Sequence, residues 1–132
     1  MKVMVYYNLH KHCLSVKALE GPNRGLVILH ARAVLLERAT FKVSQAGRER
    51  VLREKVKNVH AGVFGELTAY TDFSDTQSCA LEPQIDELGL KEQATYNPYK
   101  FSSFVNRNTL KPVHAADQCM LVGRQIYMNE SF

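Results

Sequence analysis

The motif Tyr-Asn-x-x-Lys occurs twice in the sequence, at residues 7–11 and again at residues 96–100. Aromatic rings stack on nucleobases, an amide can hydrogen-bond a base edge, and cationic side chains hold phosphate groups. Five residues in and after the second copy carry such side chains: Asn97, Tyr99, Lys100, Phe101 and Arg107. We predict that these residues form the mouth of a pocket for a nucleotide-like ligand. The alternative is that each copy only forms a turn, for which asparagine is well suited.

A basic stretch after Ser44 offers further cations. Two pairs of opposite charge stand four residues apart and could stabilise a helix: Glu49 with Arg53, and Arg50 with Glu54. A solvated, self-paired helix face therefore explains part of this charge. Arg48, Arg50 and Lys57 exceed what such pairing needs, and guanidinium groups match the geometry of phosphate. We therefore add Arg48 and Arg50 to the predicted ligand-binding residues.

No residues have the spacing of a known catalytic or metal-binding motif. His10 and His12 lie beside Cys13, but no second pair of ligands follows at zinc-binding spacing. His30 and His114 stand in similar contexts, yet no hydroxyl follows at strand spacing to complete a hydrolase motif. The glycines form neither G-x-G-x-x-G nor a P-loop. Nucleophilic catalysis by a cysteine, a histidine and an aspartate is supported only by the presence of these residue types, not by their spacing. We expect no catalysis, no cofactor and no metal.

Hydrophobic periodicity predicts the elements that would position these residues. Apolar and polar residues alternate in the first part of the chain, which favours strands. The predicted strands cover residues 3–7, 14–18 and 26–30, with one or two more over 33–36 and 40–43. The cluster Glu20-Gly21-Pro22-Asn23-Arg24-Gly25 has the composition of a turn between the second and third strands.

A helix is predicted after these strands, because Ser44 can cap a helix N-terminus and the following residues favour helix. We place it within residues 44–61, with Leu52, Val56 and Val59 on one packed face. After it we predict a bulged strand over residues 60–70, a loop over 72–79, and a short helix that begins at Pro83 and ends near Gly89.

The two ends of the chain resemble each other beyond the Tyr-Asn motif. Leu29-His30-Ala31 follows the first copy and Val113-His114-Ala115 follows the second. Each unit reads as a small antiparallel meander: a strand-like segment (13–16; 101–105), a turn (21–25; 106–109) and an apolar strand (34–36; 119–122). We predict one α+β domain over residues 1–132, with repeat-like units over about 3–43 and 94–128. Its strands would form an antiparallel sheet or a small sandwich, with one main helix and a short second helix.

The composition is that of a foldable globular protein. The chain has 132 residues, 45% of them hydrophobic and 23% charged, and its net charge is +4. The apolar runs 26–29 and 33–36 are far shorter than the roughly 20 residues that span a bilayer. Three scattered cysteines, Cys13, Cys79 and Cys119, favour free thiols in the reducing cytoplasm. The mild basic excess favours anionic partners, although ordinary surfaces often show as much.

Several segments, taken in order, carry a resemblance to a known family. They are the first Tyr-Asn-x-x-Lys segment, the His30-Ala31 segment, residues 46–52, residues 57–61 and the second Tyr-Asn-x-x-Lys segment. With this order and size the chain resembles the Thoeris anti-defence sponges. These are phage proteins that bind and sequester cyclic ADP-ribose signalling molecules made by bacterial TIR enzymes.

The resemblance implies a cyclic nucleotide as ligand, binding without turnover, and a homodimer or higher homo-oligomer. It also implies pockets lined by arginine, asparagine and an aromatic ring. The residues of those types are Arg48, Arg50, Asn97, Phe101 and Arg107. Two other functions stay open at this point: a protein that inhibits a host defence complex, as anti-CRISPR proteins do, and a small nucleic-acid-binding protein.

Overall fold

The chain folds as eight β-strands and two helices in a computed structural model that describes residues 1–74, 81 and 83–129. The elements are β1 (Lys2–Asn8), β2 (Cys13–Ala18), β3 (Val27–Val43), α1 (Gln45–Glu54), β4 (Ala61–Asp72), α2 (Gln84–Glu87), β5 (Glu92–Thr95), β6 (Val105–Asn106), β7 (Ala115–Val122) and β8 (Gln125–Met128). All strand pairings are antiparallel. The predicted α+β class and antiparallel sheet are confirmed.

The strands form one sheet in the order β2-β1-β4-β3-β7-β8-β5-β6. An additional pairing joins β2 to β3, so the first four strands close on themselves. We call these four strands the closed end. The strands β7, β8, β5 and β6 continue from β3, and we call them the wing. Apolar residues at every second position, such as Val3 and Val5 on β1 and Leu14 and Val16 on β2, are buried in the core of the closed end.

The long strand β3 corrects the prediction of two or three separate strands between residues 26 and 43. It runs without interruption for 17 residues, because β4 pairs along one edge while β2 and then β7 pair along the other. The polar residues Glu37 and Arg38 are exposed at an irregularity in the pairing with β4, where the φ angle of Arg38 is +51°. A bulge thus accommodates these polar residues within one strand, whereas the sequence pattern predicts a break between two strands at this point.

Helix α1 begins as predicted and ends earlier. The Ser44 side chain accepts a hydrogen bond from the Gly47 N–H at 3.2 Å, which confirms the predicted N-cap. Lys55 adopts a left-handed conformation and its N–H donates to the Val51 carbonyl, which terminates the helix. Val56 and Val59 consequently lie outside the helix and are 41% and 52% exposed, so the predicted packed face is wrong.

The remaining predicted elements have mixed outcomes. The strand expected over residues 60–70 is β4, and the short helix after Pro83 is α2, which is followed by Gly89 with a φ of +70°. The strand expected over 101–105 is wrong, because only Val105 of that segment belongs to a strand. Cys13 and Cys119 are free and buried. Residues 75–79 of the predicted loop, with Cys79, lie outside the described residues.

Candidate functional site

A cleft lies where the closed end meets the wing. Its volume is about 750 Å³, within the range of small-molecule sites. The end of β1, the segment between α1 and β4, the turn after β5 and the turn between β7 and β8 all contribute to its walls. The site thus depends on contacts between segments that are far apart in sequence.

Both Tyr-Asn-x-x-Lys segments line this cleft. Their lining residues are Tyr7, Asn8, Leu9 and His10 from the first copy, and Tyr96, Pro98 and Tyr99 from the second. Each asparagine also stabilises its own turn. The Asn8 Oδ1 atom accepts hydrogen bonds from the N–H groups of His10 and Lys11, both at 3.0 Å, and the Asn97 Oδ1 atom accepts one from the Tyr99 N–H at 2.9 Å. The turn role therefore holds for both asparagines, and the turns present aromatic residues to one cleft.

The cleft combines aromatic rings with positive charge. Its aromatic side chains are Tyr6, Tyr7, Tyr96, Tyr99 and Phe104, and its lysine and arginine side chains are Lys55, Lys57 and Arg124. Among the described lining residues there is no aspartate or glutamate. The Arg124 guanidinium carbon lies 4.9 Å from the centre of the Tyr7 ring, a cation–π distance. This lining suits an anionic ligand that also has a planar or apolar part.

His60 and Tyr96 form a hydrogen-bonded pair in the wall of the cleft. The Nδ1 atom of His60 lies 2.8 Å from the Asn58 carbonyl oxygen, which can only accept, so Nδ1 carries a proton. In the tautomer with its proton on Nδ1 alone, the Nε2 atom accepts a hydrogen bond from the Tyr96 hydroxyl at 2.7 Å. Burial raises the pKa of the Tyr96 hydroxyl above its usual value, and the positive charge of Arg48 offsets part of that rise. Tyr96 is therefore a neutral donor at physiological pH.

Helix α1 holds the second Tyr-Asn turn from behind. The Arg48 Nε–H donates to the carbonyl oxygens of Pro98 at 3.0 Å and of Phe101 at 2.9 Å. The Gln45 side-chain amide donates to the Ser102 carbonyl oxygen at 2.7 Å. Three backbone carbonyls of the segment after β5 thus accept hydrogen bonds from one helix, which fixes where this turn lies beside the cleft.

The structure gathers some of the sequence-predicted site residues and separates others. Arg48 contacts the turn that contains Asn97, Tyr99, Lys100 and Phe101. Of the seven predicted residues, all of which are described, Tyr99 lines the cleft and the other six do not.

Two predicted residues lie elsewhere and have local partners. Arg50 forms an ion pair with Glu54 at 2.9 Å along the exposed side of α1. Arg107 donates to the Gln93 side-chain oxygen at 3.0 Å on the wing. Sequence reasoning missed Tyr7, His60 and Arg124 as lining residues. The first copy of the Tyr-Asn motif was the signal that could have identified Tyr7, whereas Arg124 stands in no motif.

The described residues contain no group of three or more histidine, cysteine, aspartate or glutamate side chains that could hold a metal ion. His10 lines the cleft, while the thiol of Cys13, which the sequence places close to it, is buried. Burial raises the pKa of the Cys13 thiol, with an opposing effect from Lys11. Within the same part of the chain, neither helix has the length and apolar character needed to span a bilayer.

Comparisons with known proteins give a consistent match. A family model described as the Mycobacterium phage L5 gene 82 protein matches residues 1–129. The gene 82 protein of Mycobacterium phage L5 is 42% identical over 127 residues, covering 92% of this chain and 90% of that protein. No solved structure matches the chain. The expectation of a phage protein is confirmed, whereas neither comparison names a sponge for cyclic ADP-ribose.

Proposed function

Because the chain belongs to the Mycobacterium phage L5 gene 82 protein family, we propose that this phage protein binds and sequesters a cyclic nucleotide immune signal in the host cytoplasm. A cyclic ADP-ribose derivative is the type of ligand that we propose. The observation that carries the proposal is the cleft shared by the two Tyr-Asn segments, with its tyrosines, its cations and its described lining free of carboxylates.

The lining supports a phosphorylated ligand with a base. Lys55, Lys57 and Arg124 are exposed at the surface of the cleft, where they can offer charge-assisted hydrogen bonds to phosphate oxygens. Tyr99 offers an exposed ring face for stacking, and stacking is worth about 1–3 kcal/mol per base. A volume of about 750 Å³ is enough to enclose most of a ligand of drug-like size.

We propose binding without turnover, by a homodimer or a higher homo-oligomer. A sequestering protein has to hold its ligand tightly and release it unchanged. Exposed apolar side chains outside the cleft support self-association: Leu26, Val27, Tyr70 and Phe73. Leu26 and Val27 lie where β3 begins, and Val27 pairs with β2. Tyr70 and Phe73 lie where β4 ends, and β4 pairs with β3 from Ala31 onwards.

A second candidate function is inhibition of a host defence complex through protein binding. It is favoured by exposed apolar side chains that line the cleft: Leu9, Val56, Val59 and Tyr99. Such residues are typical of a surface that a partner covers. A partner protein that docks there would compete with a small ligand for the same residues.

The test is thermal unfolding of the purified protein with a panel of cyclic nucleotides and cyclic ADP-ribose derivatives. Selective binding to the native state raises the melting temperature by mass action. The complex is then heated and the released ligand is analysed by mass spectrometry. A ligand that stabilises the protein and returns intact supports sequestration. A chemically altered ligand makes the protein an enzyme, and no stabilisation by any compound favours a protein or nucleic-acid partner.

A variant pair tests whether the cleft is the site. Arg124→Ala removes a cation from the lining and should weaken binding about 10-fold, the loss expected for a hydrogen bond to a charged group. Arg53→Ala removes an exposed arginine outside the cleft, and it should leave the affinity unchanged. Equal effects of the two substitutions would mean that binding follows overall charge. In that case affinity should also fall steeply with salt, as it does for nucleic acid.

A further inference from the structure

We infer that Arg48 is a positioning residue that holds the second Tyr-Asn turn against helix α1, so that Tyr99 is presented to the cleft. The expected effect of Arg48 on ligand affinity rests on the proposed function. It assigns to Arg48 a role that differs from the direct phosphate contact suggested by its residue type.

The hydrogen bonds of Arg48 carry the inference. One N–H of its guanidinium group is shared between the carbonyl oxygens of Pro98, the first residue of the turn, and of Phe101, which follows it. Arg48 does not line the cleft, whereas Pro98 and Tyr99 do. The Nε–H group of Arg48 is therefore bonded to the backbone of the turn, and this residue is not part of the cleft lining.

Tyr99 needs such support because burial does not hold it in place. Its side chain is 61% exposed, so few packing contacts restrict it. Inside the turn, the Asn97 carbonyl accepts from the N–H groups of Lys100 and Phe101, and the Asn97 side chain accepts from the Tyr99 N–H. These local bonds shape the turn but do not attach it to the rest of the protein. Tyr96 anchors the start of the segment through its hydrogen bond to His60. Beyond Tyr96, attachment comes from the two bonds of Arg48 and from the bond of Gln45 to Ser102.

Arg50 shows that position on the helix decides the role. It is two residues from Arg48 on the same helix, yet its guanidinium pairs with Glu54 and is largely exposed. Arg53 is more exposed still, at 71%, and also lies near Glu54. Arg53 is thus a matched control: an arginine of α1 without a hydrogen bond to the turn among the contacts of the described residues.

The test compares hydrogen exchange and ligand affinity in Arg48→Ala and Arg53→Ala. Exchange is measured in the ligand-free proteins at the amides of Tyr99, Lys100 and Phe101, with the amides of β2 as an internal reference. In Arg48→Ala, exchange at the three turn amides should accelerate about 10-fold or more, because local opening loses the bonds that resist it. Affinity for cyclic ADP-ribose, used as the probe, should fall about 10-fold or more for the same reason. Arg53→Ala should change neither quantity.

Each other outcome has a defined meaning. Weaker affinity with unchanged exchange at the turn would make Arg48 a direct ligand contact and overturn the inference. Unchanged exchange and unchanged affinity would overturn it as well. If exchange accelerates equally in β2, the substitution has loosened the whole fold. Arg48→Lys and Gln45→Ala then decide whether Arg48 holds the turn. If it does, each of these two variants accelerates exchange at the turn amides and leaves exchange in β2 unchanged. If the wild-type protein binds no cyclic nucleotide, the proposed function fails, while the exchange data still determine whether Arg48 holds the turn.

Discussion

Replacement of Gly47 by alanine tests how closely helix α1 approaches the wall of the cleft. Gly47 lies inside α1, where alanine is normally better than glycine by about 1 kcal/mol. A Cβ atom added at Gly47 would stand 2.5 Å from the Cβ atom of His60, whereas ordinary contact begins at 3.4 Å. Helix propensity and packing therefore predict opposite signs for this substitution.

We expect packing to dominate, because His60 cannot move away easily. Its carbonyl accepts a hydrogen bond from the Ser44 N–H at 2.6 Å, and its ring is bonded to the Asn58 carbonyl and the Tyr96 hydroxyl. The clash involves a Cβ atom, so a change of rotamer cannot relieve it. Overpacking costs typically 1–3 kcal/mol, and a rigid neighbour places this site in the upper half of that range. After the helix gain of about 1 kcal/mol, the net destabilisation of Gly47→Ala should be about 1–2 kcal/mol.

Urea and thermal unfolding of Gly47→Ala measure this loss, with Glu49→Ala as the control. Glu49 is exposed on the same helix, so its replacement should change stability by less than about 0.5 kcal/mol. For Gly47→Ala the melting temperature should fall by roughly 4–8 °C. A melting temperature at or above that of the wild type would refute the reasoning, because it would mean that the segment between α1 and β4 moves aside without a loss of stability.

Three further predictions concern the N-cap of α1, the partly buried Tyr96 and the stoichiometry of ligand binding. Ser44→Ala removes the N-cap of α1 and should cost about 1 kcal/mol in urea unfolding, whereas Ser44→Asp, which can still cap, should retain most of that stability. Because the pKa of Tyr96 is raised in the folded protein, the unfolded chain loses the phenol proton at lower pH than the folded chain does. The stabilisation from this group is therefore present below about pH 10 and is lost as pH rises further. Above that pH, Tyr96→Phe should lose less stability than the wild type in unfolding measurements. Calorimetric titration with a bound cyclic nucleotide should give one ligand per chain, since both Tyr-Asn segments line a single cleft; two equivalent ligands per chain would contradict a shared site.

Local structure could be predicted from the sequence where the side chain of a single residue determines the backbone conformation. Ser44 indicated the start of α1, and the asparagines of both Tyr-Asn segments indicated turns, because their side chains bond to backbone N–H groups nearby. The end of α1 was not readable. Lys55 takes a left-handed conformation that glycine or asparagine usually adopts, and Val56 and Val59 continue the apolar spacing beyond it.

The site itself was predictable only in part, because it is built from long-range contacts. The sequence drew attention to the second Tyr-Asn segment, and Tyr99 of that segment lines the cleft, whereas Lys100 and Phe101 do not. Arg107 was expected across a hairpin from this segment, but its side chain donates to Gln93 on the wing. Arg124 reaches the cleft because β7 and β8 form a hairpin beside Tyr7, a placement that depends on how the wing joins β3.

The two Tyr-Asn turns are fixed by different means, and this difference bears on how the cleft can bind tightly. The Asn8 side-chain amide donates to the Oγ atom of buried Ser15, which is in turn hydrogen-bonded to the His30 ring. The first turn is thus tied to the closed end, and the second is tied to α1 through Arg48. A turn that is already held in place loses less conformational entropy when a ligand binds, which favours affinity. Residues behind the cleft, such as Ser15 and Arg48, therefore contribute to binding in the proposed function without lining the cleft.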